Sequence, residues 1–147
     1  MANSVEEYVR ELAQIAVNWD EDQRVDFCAQ ATKDLIEHLV ALDLSPQQIK
    51  DFINRGLIRV AVSADLSTVT GEYMLYHRVF DDSVSPDEFF ELTNGGKDPE
   101  IVDALDELID KLPQDGKFAC CAIALAFLSA DDKINKDELD LLIKLFA

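Results

Sequence analysis

At 147 residues, 48% of them hydrophobic and 29% charged, the chain is long enough to bury a core without a disulfide or metal staple. Thirty acids against thirteen bases give a net charge of −17, which leaves too little clustered Lys and Arg for phosphate-backbone binding and excludes nucleic acid as an expected ligand. Divalent cations, basic proteins or plain solubility fit such a charge better.

Helical periodicity dominates from the start. Val5, Tyr8, Val9, Leu12, Ile15 and Trp19 fall at three- and four-residue steps, and Ser4 with Glu7 has the spacing of a capping box. The opening "MANSVEEYVRELAQ" has no basic stretch followed by an apolar run, so no signal peptide is expected and the chain reads as cytoplasmic. Asp20 is placed to cap a second helix with Val25, Cys28, Ala31, Leu35, Leu39 and Leu42 inward. Ser45, Pro46 and Gln48 signal a third start, with Ile49, Phe52, Ile53, Leu57 and Val60 on its buried face.

A polar loop, "DLSTVTG", then precedes an expected helix from about Glu72 to Phe80. "SPDEFFEL" reads as a short capped helix stopped at Asn94-Gly95-Gly96. Asp98 and Pro99 open another, with Ile101, Leu105, Leu108 and Leu112 inward, and "PQDGK" reads as a break. Phe118 to Ala130 is apolar on nearly every side, the mark of a centrally buried helix. Its core, "FACCAIALAFL", is far shorter than the roughly twenty residues a membrane crossing takes, so no membrane insertion is expected. Asn135 with Glu138 caps a last helix that buries Leu141, Leu142 and Leu145. No stretch carries a convincing strand pattern. The expectation is one all-α domain over residues 1–147, with about seven or eight helices.

Three acidic segments stand out. In "FLSADDKINKDE", Ile134 and Glu138 have the spacing of the end of an EF-hand loop, with Asp131 at its third acidic position. Phe127, Ser129 and Asp132 occupy the first two ligand positions and the glycine position, which excludes a full EF-hand. Asp65 and Glu72 repeat the separation of Asp131 and Glu138, and both units open with Ser-Ala-Asp after an apolar helix. Asp81 and Glu88 form a third, looser copy. Such acids serve either as helix caps and solvated loop charges or as oxygen ligands for a cation.

This pattern resembles the TerB-like family of tellurite-resistance and stress proteins, whose turns read A-D-G-x-[IV]-x-x-x-E. The resemblance is strongest over residues 45–147. The second turn keeps the aliphatic Ile134 where the first has Thr68, and Leu66 and Asp132 stand at the glycine positions. The resemblance implies an all-α fold of two related halves, and a non-enzymatic binding or scaffold module. It also implies divalent-cation binding by Asp65, Glu72, Asp131 and Glu138. Ca²⁺, Mg²⁺ or Mn²⁺, weakly held, suits those hard oxygen ligands, and no organic cofactor is expected.

From Ala61 to Asp110 thirteen acids face two bases, so eleven of the seventeen net negative charges fall in one third of the chain. Aromatic residues lie among them. Tyr73, Asp81, Asp82, Glu88 and Phe89 are therefore the candidate contacts for a partner protein, basic or membrane-associated, and an inhibitor or immunity factor against a cationic toxin is the alternative function. His38 and His77 are lone helical histidines with no nucleophile pattern beside them, and Cys28, Cys120 and Cys121 have neither disulfide nor zinc spacing. No catalytic set is expected.

Overall fold

The computed structural model describes residues 4–53, 69–80, 83, 85–93, 99–129 and 136–146. Eight helices and no strand occur among the described residues: α1 Val5–Ala16, α2 Glu21–Ala41, α3 Pro46–Asp51, α4 Val69–Val79, α5 Pro86–Thr93, α6 Pro99–Asp110, α7 Gln114–Leu128 and α8 Lys136–Phe146. None of them is long and apolar enough to cross a membrane.

Local chemistry sets most of the starts. Ser4 Oγ accepts the Glu7 N–H at 3.2 Å. Asp20 and Gln23 form a reciprocal capping box, as do Ser45 with Gln48 and Ser85 with Glu88. Each box satisfies two backbone N–H donors that a bare helix end would leave to solvent. Asp43, just past α2, adopts a left-handed conformation (φ 63°), and its N–H donates to Val40 O at 3.0 Å. The chain thereby turns sharply into α3, an ending glycine more commonly makes.

α7 is the hub. It packs against α1, α2, α4 and α8, while α3 rests on α2, α5 on α4 and α6 on α8. Every residue from Ala119 to Leu128 is buried, as the apolar run predicts, and side chains from all eight helices join one hydrophobic cluster around it. The inward side of α2 is Arg24, Cys28, Ala31, Leu35 and Leu39, so a charged residue occupies the step that the sequence pattern gives to Val25, which is half-buried.

Three boundaries differ from expectation. α7 starts at Gln114, with Pro113 as its N-cap residue, so "QDGK" belongs to the helix rather than to a break. Gly116 is buried there; a β-carbon would stand 3.2 Å from Leu112 Cβ and 3.4 Å from His38 Cγ, so the absent side chain lets α7 come close to α2. α4 starts at Val69 and absorbs the Val-Thr-Gly expected in the loop. In both places local propensity, worth at most about 1 kcal/mol per residue for Gly, yields to the rest of the fold. Trp19, expected on the α1 stripe, lies beyond the helix and packs on Phe27 with ring centroids 4.7 Å apart. Ile15, expected on the same stripe, is exposed; of the other expected core positions, Leu57 and Val60 lie outside the described residues, as do the side chains of Ile101, Leu105, Leu141 and Leu145. The Asp98 and Asn135 caps also lie outside them.

Candidate functional site

Asp65 and Asp131 lie outside the described residues. Glu72 falls in the first turn of α4 and Glu138 in the first turn of α8, with their side chains outside the description. Asp81 and Asp82, two of the expected partner contacts, are likewise outside it. Glu88 is exposed, and its carboxylate accepts the Ser85 N–H at 3.3 Å, so it acts as a cap at the start of α5. Tyr73 is half-buried. Phe89 is a correction: it is fully buried, its ring 5.8 Å from that of Tyr73 and 5.3 Å from that of Tyr76. It turns inward because a short helix packed on α4 must bury one face, and Phe89 supplies that face while Asp87 and Glu88 stay in solvent.

A different set of residues lines a recess of the described surface. Between α1, α2 and α7 lies a cavity of about 400 Å³, in the roughly 300–1,000 Å³ range of small-ligand pockets. Its floor is Ala31, Ala119 and Ala122, all buried; three methyl side chains at a helix–helix contact are what leave the space. Tyr8 and Phe118 form one wall as a parallel stack, with centroids 4.3 Å apart and planes 2° from parallel. Phe27 adds a third aromatic ring and rests in turn on Trp19. Asp34, Glu37 and Asp115 bring carboxylates to the rim from two helices, and Gln30 donates to Asp34 Oδ1 at 3.1 Å. His38, half-buried, completes the lining.

The electrostatics of this recess are one-sided. Its described lining holds three carboxylates and no lysine or arginine. Burial pushes the Tyr8 hydroxyl up to about 12, with Cys121 and Asp34 adding to the rise, so the phenol stays neutral over the whole physiological range. Among the described residues no three of His, Cys, Asp or Glu stand close enough together to hold a metal ion. The carboxylates here are spread around a volume instead of being focused on a point.

No sequence pattern joins these residues into one site, although part of the signal is legible. Phe27, Gln30, Asp34, Glu37 and His38 follow each other at three- and four-residue steps or adjacent positions along one side of α2, and Asp115, Phe118, Ala119 and Ala122 do the same on α7. That the two sides meet, and that Tyr8 of α1 closes them, depends on tertiary packing.

Two further features bear on chemistry. Arg24 is 7% exposed, and its Nε donates at 3.1 Å to Ser129 Oγ, itself fully buried; Nη2 donates to Trp19 O at 3.4 Å. Ser129 opens the Ser-Ala-Asp of the second acidic turn, so a guanidinium stands at the helix end that leads into that turn. The three thiols are all buried and free. Burial pushes Cys28 up to about 12 and raises Cys120 and Cys121 as well, the opposite of what a nucleophilic or metal-binding thiolate needs. No protein-family model, curated protein or solved structure matches this chain.

Proposed function

We propose that this protein is a non-enzymatic helical binding module whose ligand is a basic partner protein. One observation carries the reading: a side-chain-sized cavity with aromatic walls and a rim of three carboxylates, in a chain of net charge −17. The lining carries three carboxylates and no lysine or arginine, so a cation entering the recess meets charge of the opposite sign. The long-range field of the whole molecule then draws positively charged partners toward it and speeds their encounter. The buried, high-pKa thiols support binding rather than nucleophilic chemistry. Titration calorimetry with a hexalysine peptide and with a hexaglutamate peptide tests this reading. Hexalysine is expected to bind at low ionic strength and to weaken markedly by about 0.3 M salt, where the screening length is down to several ångströms. Absence of hexalysine binding at low salt, or equal binding of hexaglutamate, would contradict it.

A second reading, a TerB-like module that holds divalent cations, is favoured by one observation. Glu72 and Glu138, the closing acids of the two Ser-Ala-Asp units, both fall in a first helical turn, as the fourth residue of α4 and the third of α8. Asp65 with Glu72, and Asp131 with Glu138, would supply carboxylate oxygens to Ca²⁺, Mg²⁺ or Mn²⁺, with water filling the remaining positions and a correspondingly weak affinity. Calcium and manganese titrations of the parent, and of Asp131→Asn with Glu138→Gln, test it. Binding that the double substitution abolishes supports an ion-binding turn, and no binding to the parent at millimolar ion removes this reading.

A further inference from the structure

We propose that the cavity between α1, α2 and α7 is an arginine pocket: it receives the guanidinium of a basic partner protein between its aromatic walls and its carboxylate rim. The inference rests on the reading of the protein as a module for basic partners and names the group recognised. Charge selects a cation, and the shape of the lining selects the kind of cation. A single metal ion needs ligands converging on one point, whereas Asp34 and Glu37 on α2 and Asp115 on α7 are distributed around about 400 Å³. That volume suits an extended organic cation.

Between the two cationic side chains, the walls favour arginine. A lysine ammonium is compact and strongly hydrated, and loses that hydration on entering a recess floored by Ala31, Ala119 and Ala122. A guanidinium is planar, weakly hydrated and stacks on aromatic faces. Tyr8 and Phe118 present a parallel aromatic pair at the cavity, and Phe27 adds another ring. The donors of the guanidinium fork, more numerous than those of an ammonium, match several acceptors set on two different helices. Tyr8, kept neutral by its burial, is able to offer its hydroxyl oxygen to the fork without a charge of its own.

The test uses the whole chain and its single tryptophan, which packs against the cavity residue Phe27. Hexa-arginine and hexalysine peptides are titrated at low salt while Trp19 fluorescence and heat are recorded. Two variants are compared with the parent: Asp34→Asn/Glu37→Gln/Asp115→Asn at the rim, and Asp103→Asn/Glu107→Gln/Asp110→Asn on α6. All six positions are exposed, and each variant removes three carboxylates, so both are expected to keep the helical spectrum of the parent and to reduce the net negative charge equally. Hexa-arginine is expected to bind the parent about tenfold or more tighter than hexalysine, and to perturb Trp19. The rim variant is expected to weaken hexa-arginine by about tenfold, and the α6 variant by no more than about threefold. Equal weakening by both variants would overturn the pocket while leaving a module that binds basic partners through net charge. Equal affinity for the two peptides would overturn the assignment to arginine. Failure of both peptides to bind the parent would remove the pocket and the functional reading together.

Discussion

Removing the Ser129 hydroxyl is expected to cost more stability than a serine-to-alanine change at a buried position ordinarily would. The hydroxyl is used twice: it donates to Ala126 O at 3.1 Å, and it accepts from Arg24 Nε at 3.1 Å. Ser129 is fully buried and Arg24 is 7% exposed, so water cannot readily replace either partner. A hydrogen bond to a charged group contributes about 1.5–3 kcal/mol, and Ser129→Ala removes this acceptor from the buried Arg24 Nε. Ser129→Ala should therefore lose about 2–3 kcal/mol, a fall in melting temperature of roughly 5 °C or more for a chain of this size. Arg24→Met and the double variant complete a double-mutant cycle, read by urea denaturation with circular dichroism at 222 nm. The coupling energy is expected to be about 1.5 kcal/mol or more. A coupling no larger than about 0.5 kcal/mol, the level of independent sites, would show that the two side chains do not depend on each other and would refute the buried bond as a structural element.

Other outcomes follow from the same structure. Ala124 is fully buried in α7, so Ala124→Asp is expected to destabilise by about 3 kcal/mol or more, or to prevent folding, as judged by thermal melts and soluble yield. Asp43→Gly should raise stability by about 0.5–1 kcal/mol in urea titrations, because glycine takes the left-handed conformation at the end of α2 without a side-chain penalty. Asp106 is held above the usual carboxylate range by burial, then by Asp110 and Asp103. An acid whose pKa is raised on folding binds more protons in the folded than in the unfolded state between the two values, so its contribution to stability falls as pH rises through that interval. Asp106→Asn should accordingly raise the melting temperature at pH 7, and the gain should shrink as pH falls through the interval between the raised value and the normal aspartate value, and be gone below it.

The parts of the fold that were legible in the sequence are those decided within one helix. The apolar run through Cys120 and Cys121 marked α7 as the buried hub, and the Ser45–Gln48 box with Pro46 marked the start of α3. The Ser85–Glu88 spacing likewise fixed the start of α5. What the sequence obscured was decided between helices. Arg24 lies in the core, where Ser129, 105 residues away, supplies an acceptor to its Nε, and no local pattern carries that information. Phe89 looked like a surface aromatic because acids flank it, yet the contact of α5 with α4 turns it inward. The cavity requires α2 and α7 to meet at alanines with Tyr8 of α1 closing them, so Asp34, Glu37, His38 and Asp115 read singly as solvated or lone side chains.

The assignment of the binding face is tested most directly by mapping hexa-arginine onto the ¹⁵N-labelled protein through amide chemical-shift changes at low salt. The largest changes are expected in α2 around Gln30 to His38, in α7 around Asp115 to Ala122, and at Tyr8 in α1, saturating together with a single affinity. Changes centred instead on α6, or on the acidic turn that leads into α8, with the cavity residues unmoved, would contradict the cavity as the place where this protein takes hold of a basic partner.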